Sequence, residues 1–251
     1  MVLDPLLKAG SLRVTNLTAM TPNEDFMYKN IEKMFLETAA PVTKESEAEK
    51  AELANDTVCE NVNLVIKSKE KVLLLGDEST EFDNFIFSLL GETTVKEGEI
   101  KYRGKFLFAD ADESTYTTGE TLRENILMGE TYIPKRYKKV LDVVGMNVDK
   151  YCGGDMTEVI EGGMNFSSSE RRKIILARML YVAGDVYVMK DFFGYGESQA
   201  EELMYKRVVK GYLWDKTVII VTKMEKVAKH VDKISVFNNK KVTTYTGYDN
   251  F

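Results

Sequence analysis

A short apolar run that ends at a glycine and continues into an amphipathic helix limits what this chain can fold into. Val72–Leu75 is apolar throughout and leads directly into Gly76. Four apolar residues then recur at helical spacing: Phe82, Phe85, Ile86 and Leu89. Two similar runs, Val186–Met189 and Val218–Val221, are separated from the first by helical patterns. Apolar strands that alternate with helices are typical of a parallel sheet covered on both faces, so the sequence predicts an α/β fold.

The turn after Gly76 has the shape of a phosphate-binding loop without its chemistry. A working loop, G-x-x-x-x-G-K-[ST], surrounds phosphates with backbone N–H groups and one lysine, and its hydroxyl binds magnesium. Glu81, Phe82 and Asp83 stand where the second glycine, the lysine and the hydroxyl residue belong, and four of the seven residues 77–83 are acidic. The degenerate phosphate-loop positions are Gly76, Ser79, Thr80, Glu81, Phe82 and Asp83.

Electrostatics argues against a triphosphate in this turn. Two like charges about 4 Å apart repel by roughly 4 kcal/mol at an effective dielectric constant of about 20. Micromolar affinity corresponds to only about 8 kcal/mol. Because several acids would face the phosphates without a lysine on the loop, we do not expect tight ATP binding in the usual pose.

Two other interpretations of this turn are open. Asp77, Ser79, Glu81 and Asp83 alternate as calcium ligands do, although the glycine and distal glutamate of an EF-hand are absent. The alternative is a solvated acidic turn. Phe82 can likewise be a core side chain of an amphipathic helix, with no functional role.

Composition excludes several classes of function. The apolar content of 44% and charged content of 29% are typical of a soluble globular protein. There is no apolar run of about 18 residues and no signal-peptide pattern, so we expect a cytoplasmic protein without direct membrane insertion. The net charge of −6 argues against nucleic acid, and Cys59 and Cys152 fit neither zinc spacing nor a disulfide framework. We predict no metal site.

The pattern along the chain predicts one domain over residues 1–251, with an N-terminal β-hairpin and insertion region. Residues 21–57 form a charged insertion in which Asn23–Leu36 is expected to be a docked helix. Residues 110–182 form a mostly helical subdomain. Glu99–Tyr102 and Lys105–Phe108 are expected to form a short hairpin, and residues 198–213 a helix. Residues 234–245 are expected to form a hairpin whose turn, Asn238-Asn239, suits positive φ.

Three further segments carry a family resemblance. Glu161–Arg178 resembles the signature E-G-G-x-x-L-S-G-G-Q-R-x-R-I-x-L-A-R, and residues 185–197 fall where the Walker B strand and D-loop belong. Thr121–Ile126 is similar to T-I-x-E-N-I. With the turn after Gly76, these segments follow the order found in the nucleotide-binding domain of ATP-binding-cassette (ABC) transporters. The resemblance covers nearly the whole chain and implies a P-loop NTPase-type core sheet.

Within that family the chain is closest to the first nucleotide-binding domain of the C-type exporters, the class of the cystic fibrosis transmembrane conductance regulator. Phe193–Tyr195 and Val221–Ile234 carry this comparison. The insertion at 21–57 resembles the regulatory insertion of that class.

The resemblance implies that magnesium ATP would lie between the phosphate loop of one domain and the signature of another. Carried over residue by residue, the chain keeps few of the groups that do this. Lys190 replaces the Walker B aspartate, Asp191 takes the catalytic glutamate's place, and Lys223 falls at the switch histidine. Thr21 lies near the position of the adenine-stacking aromatic residue, and residues 111–113 contain no glutamine for the Q-loop.

The signature segment has its own departures. Ser167, Ser168, Ser169 and Glu170 stand for Ser-Gly-Gly-Gln, and the added side chains obstruct the close backbone approach that glycine allows. The serines are also suited to cap the following helix with no ligand present.

The charge changes look paired. In the family the Walker A hydroxyl and the Walker B aspartate face each other across the metal, and here those positions hold Asp83 and Lys190. We therefore expect the Lys190 ammonium to lie within salt-bridge or one-water distance of Asp83 or another acid of residues 77–83. The alternative is that Lys190 extends into solvent.

The resemblance leads to three functional hypotheses. The first is a degenerate ABC domain that hydrolyses no ATP and acts through another nucleotide-binding domain or a membrane domain. On this hypothesis it has no cofactor and reaches the cytosolic face of a membrane through its partner. The second is a residual ATPase that keeps the family's ATP and Mg²⁺ and energises transport. The third is a free-standing scaffold on another protein assembly.

Overall fold

The computed structural model describes residues 2–20, 57–76, 80–111, 119–193, 199–222 and 225–251. The expected helix Asn23–Leu36 and most of the charged insertion lie outside these ranges. No helix among the described residues is long and apolar enough to cross a membrane.

The described chain forms two sheets and several helices. The strands are β1 (Val2–Leu3), β2 (Ser11–Met20), β3 (Thr57–Ile66), β4 (Lys71–Leu75), β5 (Thr94–Arg103), β6 (Phe106–Asp110), β7 (Val186–Lys190), β8 (Thr217–Thr222), β9 (Lys233–Asn238) and β10 (Lys241–Thr246). The α-helices are α1 (Thr80–Leu90), α2 (Leu122–Leu127), α3 (Pro134–Val144), α4 (Ser168–Val182) and α5 (Gln199–Tyr205). A π-helical segment, Lys206–Tyr212, continues from α5.

The larger sheet is mostly parallel. Its strand order is β10-β9-β4-β8-β7-β6, and β4 pairs in parallel with both β8 and β9. Strand β7 pairs in parallel with β8 and β6, while β10 is antiparallel to β9 at one edge. The runs Val72–Leu75, Val186–Met189 and Val218–Val221 are therefore neighbours in one sheet, which confirms the predicted α/β core.

The central strands are apolar throughout because both of their faces are covered. Leu73 and Leu75 point into a core cluster with the helices that follow β6, whereas Val72 and Leu74 point into a second cluster on the opposite face. This alternation follows from the two-residue period of a strand. The second cluster also holds α1 and the smaller sheet, whose order is β1-β5-β2-β3.

Helix α4 runs through the core of the helical part of the chain. Seven of its residues are buried: Ile174, Ile175, Leu176, Ala177, Met179, Leu180 and Tyr181. The Arg178 Nε donates to the Asn125 carbonyl oxygen at 2.9 Å, which ties α4 to α2. The helices lie where the sequence predicted a helical subdomain at 110–182. Its boundaries, like the single domain over 1–251, stay predictions.

The expected hairpin between Glu99–Tyr102 and Lys105–Phe108 is wrong. Strand β5 pairs with β2 in the smaller sheet, whereas β6 pairs with β7 in the larger one. The crossing is fixed at Asp185, whose Oδ2 accepts from the Lys105 N–H at 2.8 Å and whose side chain lies against Gly104, φ +114°. Two strand-like segments on either side of an Arg-Gly pair resemble a hairpin in sequence, but here the chain passes from one sheet to the next.

Two other expectations need smaller corrections. The helix expected over 198–213 is α-helical over Gln199–Tyr205 and π-helical over Lys206–Tyr212. The C-terminal hairpin is confirmed, with Asn238 opposite Lys241. Its two turn residues are Asn239 and Lys240, both at positive φ, so the turn lies one residue later than the sequence suggested.

Candidate functional site

A lysine and two aspartates meet at the carboxyl ends of the central strands. Lys190 Nζ lies 2.9 Å from Asp83 Oδ1 and 3.0 Å from Asp110 Oδ2. The Lys190 side chain is 20% exposed, and those of Asp83 and Asp110 are 43% and 23% exposed. The predicted contact between Lys190 and Asp83 is confirmed.

The sheet register brings these groups together. Lys190 and Asp110 are the last residues of β7 and β6 and are direct partners in the parallel ladder. Asp83 lies in the first turn of α1, which follows the carboxyl end of β4. Parallel strands bring their carboxyl ends to one edge of the sheet, and that edge is where open α/β sheets build their sites.

The pKa of Lys190 reports the balance of forces on its ammonium. Partial burial lowers the pKa, but the hydrogen bonds to Asp83 and Asp110 outweigh that effect and leave the pKa above its usual value. The lysine is therefore charged at neutral pH, and it supplies a fixed cation between two carboxylates.

The side chain in the phosphate lysine's place faces the core. Phe82 is 4% exposed, and its ring stacks on Phe237 of β9 with centroids 5.7 Å apart. A Cβ built on Gly76 would lie 2.3 Å from Phe82 Cγ, so the ring covers the glycine directly. This contact agrees with the interpretation of Phe82 as a core residue of an amphipathic helix.

A second lysine approaches α1 from another strand. Lys240 Nζ, in the β9–β10 turn, lies 3.7 Å from Glu81 Oε1. The backbone of this turn is held by the Glu60 N–H, which donates to the Lys240 carbonyl oxygen at 2.8 Å. Both described acids in the first turn of α1 thus have a lysine partner from the sheet.

The signature serines begin α4. Ser167 is the N-cap: its Oγ accepts from the Glu170 N–H at 3.3 Å, and Glu170 Oε2 accepts from the Ser167 N–H at 2.7 Å. The other carboxylate oxygen of Glu170 accepts from the Tyr151 hydroxyl at 2.7 Å and contacts the Lys150 ammonium. Ser168 and Ser169 are exposed. Glu170 is therefore held by four polar contacts that need no ligand.

The segment Thr121–Ile126 also begins a helix with a capping box. Thr121 caps α2, its N–H donates to Glu124 Oε2 at 2.7 Å, and the Glu124 N–H donates back to Thr121 Oγ1 at 3.2 Å. Capping boxes of this type stabilise a helix N-terminus on their own. Two of the family-like motifs therefore have a structural role in this chain.

The remaining predicted positions are only partly described. Asp191 follows Lys190 at a positive φ of 56°, and its N–H donates to the Val221 carbonyl oxygen at 2.9 Å. Phe193, next to it, packs on Tyr205 of α5. The side chain of Thr80 and all of Ser79 and Lys223 lie outside the described residues.

Two members of this site were missed in the sequence. Asp110 and Lys240 belong to no motif, so they had no spacing that could identify them. Asp110 is the last residue of an apolar strand, Phe106–Asp110, and a polar residue at that strand end is a usable signal. Among the described residues no group of three His, Cys, Asp or Glu side chains could hold a metal ion.

Comparison with known proteins finds similarity to ABC transporters of the C family. The chain is 28% identical over 162 residues to ABC transporter C family member 3 of Dictyostelium discoideum, covering 64% of this chain and 11% of that protein. It is 28% identical over 185 residues to ABC transporter C family member 9 of Arabidopsis thaliana, covering 73% and 12%. The same identity holds over 185 residues of the ATP-binding cassette sub-family C member 2 of Mus musculus, covering 72% and 12%.

No protein-family model matches the chain. The chain spans 11% to 12% of the length of these three relatives. The parallel sheet, the turn that follows β4 and the ordered motifs agree with the relatives on one assignment. The chain is thus similar to ABC transporters of the C family over 64% to 73% of its length, and this similarity supports its assignment as a nucleotide-binding domain of that type.

Proposed function

We propose that this chain is a degenerate ABC domain that neither hydrolyses ATP nor binds it in the family's usual pose. It acts through contacts with another nucleotide-binding domain or with an ABC membrane domain. The observation that carries the proposal is the Lys190 ammonium, held between Asp83 and Asp110 at 2.9 and 3.0 Å. A cation of the protein itself, at the Walker B aspartate's position, contacts the residue at the Walker A hydroxyl's position.

The residues present do not fit magnesium ATP. A magnesium ion needs oxygen ligands that are not already paired with a cation, and Asp83 is paired with Lys190. The phosphate lysine's place holds a buried phenylalanine. Two of the acids that would face a triphosphate, Glu81 and Asp83, have lysine partners that a phosphate would have to displace. The site therefore lacks the groups for a catalytic step on ATP.

The same contacts explain how the fold persists without nucleotide. In a working site the bound metal and phosphates neutralise and fill the turn after β4. Here the Phe82 ring covers Gly76, and Lys190 neutralises the adjacent carboxylates. The domain can thus keep its surface, through which it would contact a partner on the cytosolic side of a membrane.

Calorimetric titration with magnesium ATP tests the first half of the proposal. We expect no saturable heat from the wild-type chain up to about 1 mM nucleotide, a limit near 4 kcal/mol of binding free energy. The variant Asp83→Ser with Lys190→Asp restores the family's residue types and should bind more strongly than wild type. A matched control is Glu99→Ser with Lys101→Asp, which alters an exposed pair in the other sheet, 2.7 Å apart.

Micromolar binding by the wild-type chain would contradict the proposal. ATP turnover that disappears in Asp191→Asn would favour the residual ATPase instead. Copurification with ABC membrane proteins, unchanged by added ATP, supports the partner assignment, whereas recovery solely in an unrelated assembly would favour the scaffold.

A further inference from the structure

A cavity of about 460 Å³ opens between the end of α3, the first turns of α4, and α5 with the π-helical segment that follows it. This volume lies within the range of about 300–1,000 Å³ that is usual for small-molecule sites. Five apolar residues line the cavity and are here called its apolar wall: Val143, Val144, Phe192, Leu203 and Met204. Such a wall beside convergent polar groups is typical of a ligand pocket.

Three cationic side chains line the same cavity, together with one carboxylate. The cations are Arg172, Lys173 and Arg207, and the acid is Glu201. The lining therefore carries an excess of positive charge in a chain whose net charge is −6. This local excess of positive charge favours an anionic ligand, because opposite charges attract more strongly in a partly enclosed cavity than in bulk water.

Two of the cations converge on the end of α3. Lys173 Nζ donates to the Gly145 carbonyl oxygen at 2.9 Å. Arg207 Nη1 lies 3.4 Å from the position of a Cβ on Gly145, so the guanidinium lies against the same glycine. The carbonyls of a helix C-terminus attract both cations. An ammonium has three donors and a guanidinium five, so both groups keep N–H donors for a ligand.

The apolar wall includes a side chain that solvent reaches. Leu203 is 47% exposed, whereas Phe192 is 1% exposed. An apolar ligand body in the cavity would remove Leu203 from water and contact Phe192. Arg207 lies on the helical segment that continues from α5, close in sequence to Leu203. No described residue forms an ion pair with it.

We propose that this cavity binds a small organic anion, one carboxylate, sulfonate or phosphate group on an apolar body. The acidic group would lie near Lys173 and Arg207, and the body would pack on Leu203 and Phe192. The proposal is independent of the proposed function, which requires no ligand in this cavity. The cavity face of α4 carries residues 168, 169, 172 and 173, whereas Ser167 and Glu170 are engaged in the cap.

Fluorescence titration with anilinonaphthalene sulfonate tests the proposal, with phenylnaphthylamine as the neutral analogue of the same aromatic body. We expect saturable binding of about one sulfonate probe per chain and binding of the neutral analogue about tenfold weaker. Arg207→Glu should weaken sulfonate binding about tenfold and leave the neutral analogue unchanged. Lys210→Glu makes the same charge change on the same segment outside the cavity and should alter neither by more than about twofold.

A second variant keeps the test decisive. Leu203→Trp places a larger side chain in the cavity and should abolish binding of both probes. Thermal unfolding of each variant shows that it is folded. Equal affinity of the two probes, or sulfonate binding that is indifferent to both Arg207→Glu and Leu203→Trp, would overturn the proposal.

Discussion

The Lys190 ammonium lies 2.9 Å from Asp83 Oδ1, across the gap between the end of β7 and the first turn of α1. This contact joins two elements that are 107 positions apart in the sequence numbering, counted as 190 minus 83. It also keeps Asp83 and Asp110 from repelling each other, because the same ammonium contacts both. Charged side chains of the chain itself thus pair with one another at the carboxyl edge of the sheet.

Removal of this lysine should destabilise the fold by about 1–2 kcal/mol, because it takes away the positive charge that contacts both Asp83 and Asp110. The test is chemical denaturation of Lys190→Met. Coupling with Asp83 should be about 0.5–1 kcal/mol, since Asp83 is 43% exposed and solvent screens the pair. Coupling with Asp110 should be larger, since Asp110 is 23% exposed.

The Lys101–Glu99 pair serves as the control for this cycle. Its two side chains are 33% and 47% exposed, so water screens the pair. Its coupling should be about 0–0.5 kcal/mol. If the Lys190–Asp83 and Lys101–Glu99 couplings are equal, the Lys190 contact adds nothing beyond an ordinary surface pair.

Gly76 and Phe82 should be strongly coupled through their contact. A Cβ on Gly76 would lie 2.3 Å from Phe82 Cγ, so Gly76→Ala should cost about 1–3 kcal/mol by overpacking. Phe82→Ala alone should cost about 3–5 kcal/mol from the lost core packing. In the Phe82→Ala background the Gly76→Ala cost should fall to near zero, measured by urea denaturation. Additive effects of the two changes would show that the ring does not occupy that space.

The α2 capping box should make stability depend on pH in the acid range. Hydrogen bonds from the Thr121 N–H and hydroxyl lower the pKa of Glu124 below its ordinary value of 4.5. A lowered folded-state pKa gives stability that is complete above 4.5 and is lost as pH falls through the folded-state pKa. The stability difference between wild type and Glu124→Gln should therefore shrink as pH falls, followed by helical circular dichroism. A difference that stays constant down to acid unfolding would contradict this.

The two cysteines should differ sharply in reactivity. Cys59 is 0% exposed, and burial raises the pKa of its thiol to about 11. At about pH 8 roughly one Cys59 thiol in a thousand is ionised, since the gap is about three pKa units. Cys152 is exposed. A dithiobis-nitrobenzoate assay should show one fast thiol, absent in Cys152→Ser, and a second thiol that reacts at the rate of unfolding. Two fast thiols in the folded chain would be the contrary outcome.

Local pattern was enough to predict the central sheet. Val72–Leu75, Val186–Met189 and Val218–Val221 are each apolar because both of their faces are covered, and that condition is written into consecutive residues. The cap that begins α4 was also predictable from the serines at 167–169, because a capping box lies within four consecutive residues. The equivalent box at Thr121 and Glu124 has the same local pattern but was not predicted. The contact of Lys190 with Asp83 was predictable once the resemblance aligned their two strands.

The tertiary structure alone decided which residues complete the site. Asp110 joins Lys190 because β6 and β7 pair in register, and Lys240 reaches Glu81 because a hairpin turn lies beside α1. The hairpin expected across Arg103–Gly104 failed for the same reason: the sheet that a strand joins depends on distant partners, here Asp185. Periodicity fixes which face of an element is apolar, whereas pairing between remote strands is set by the free energy of burying those faces together.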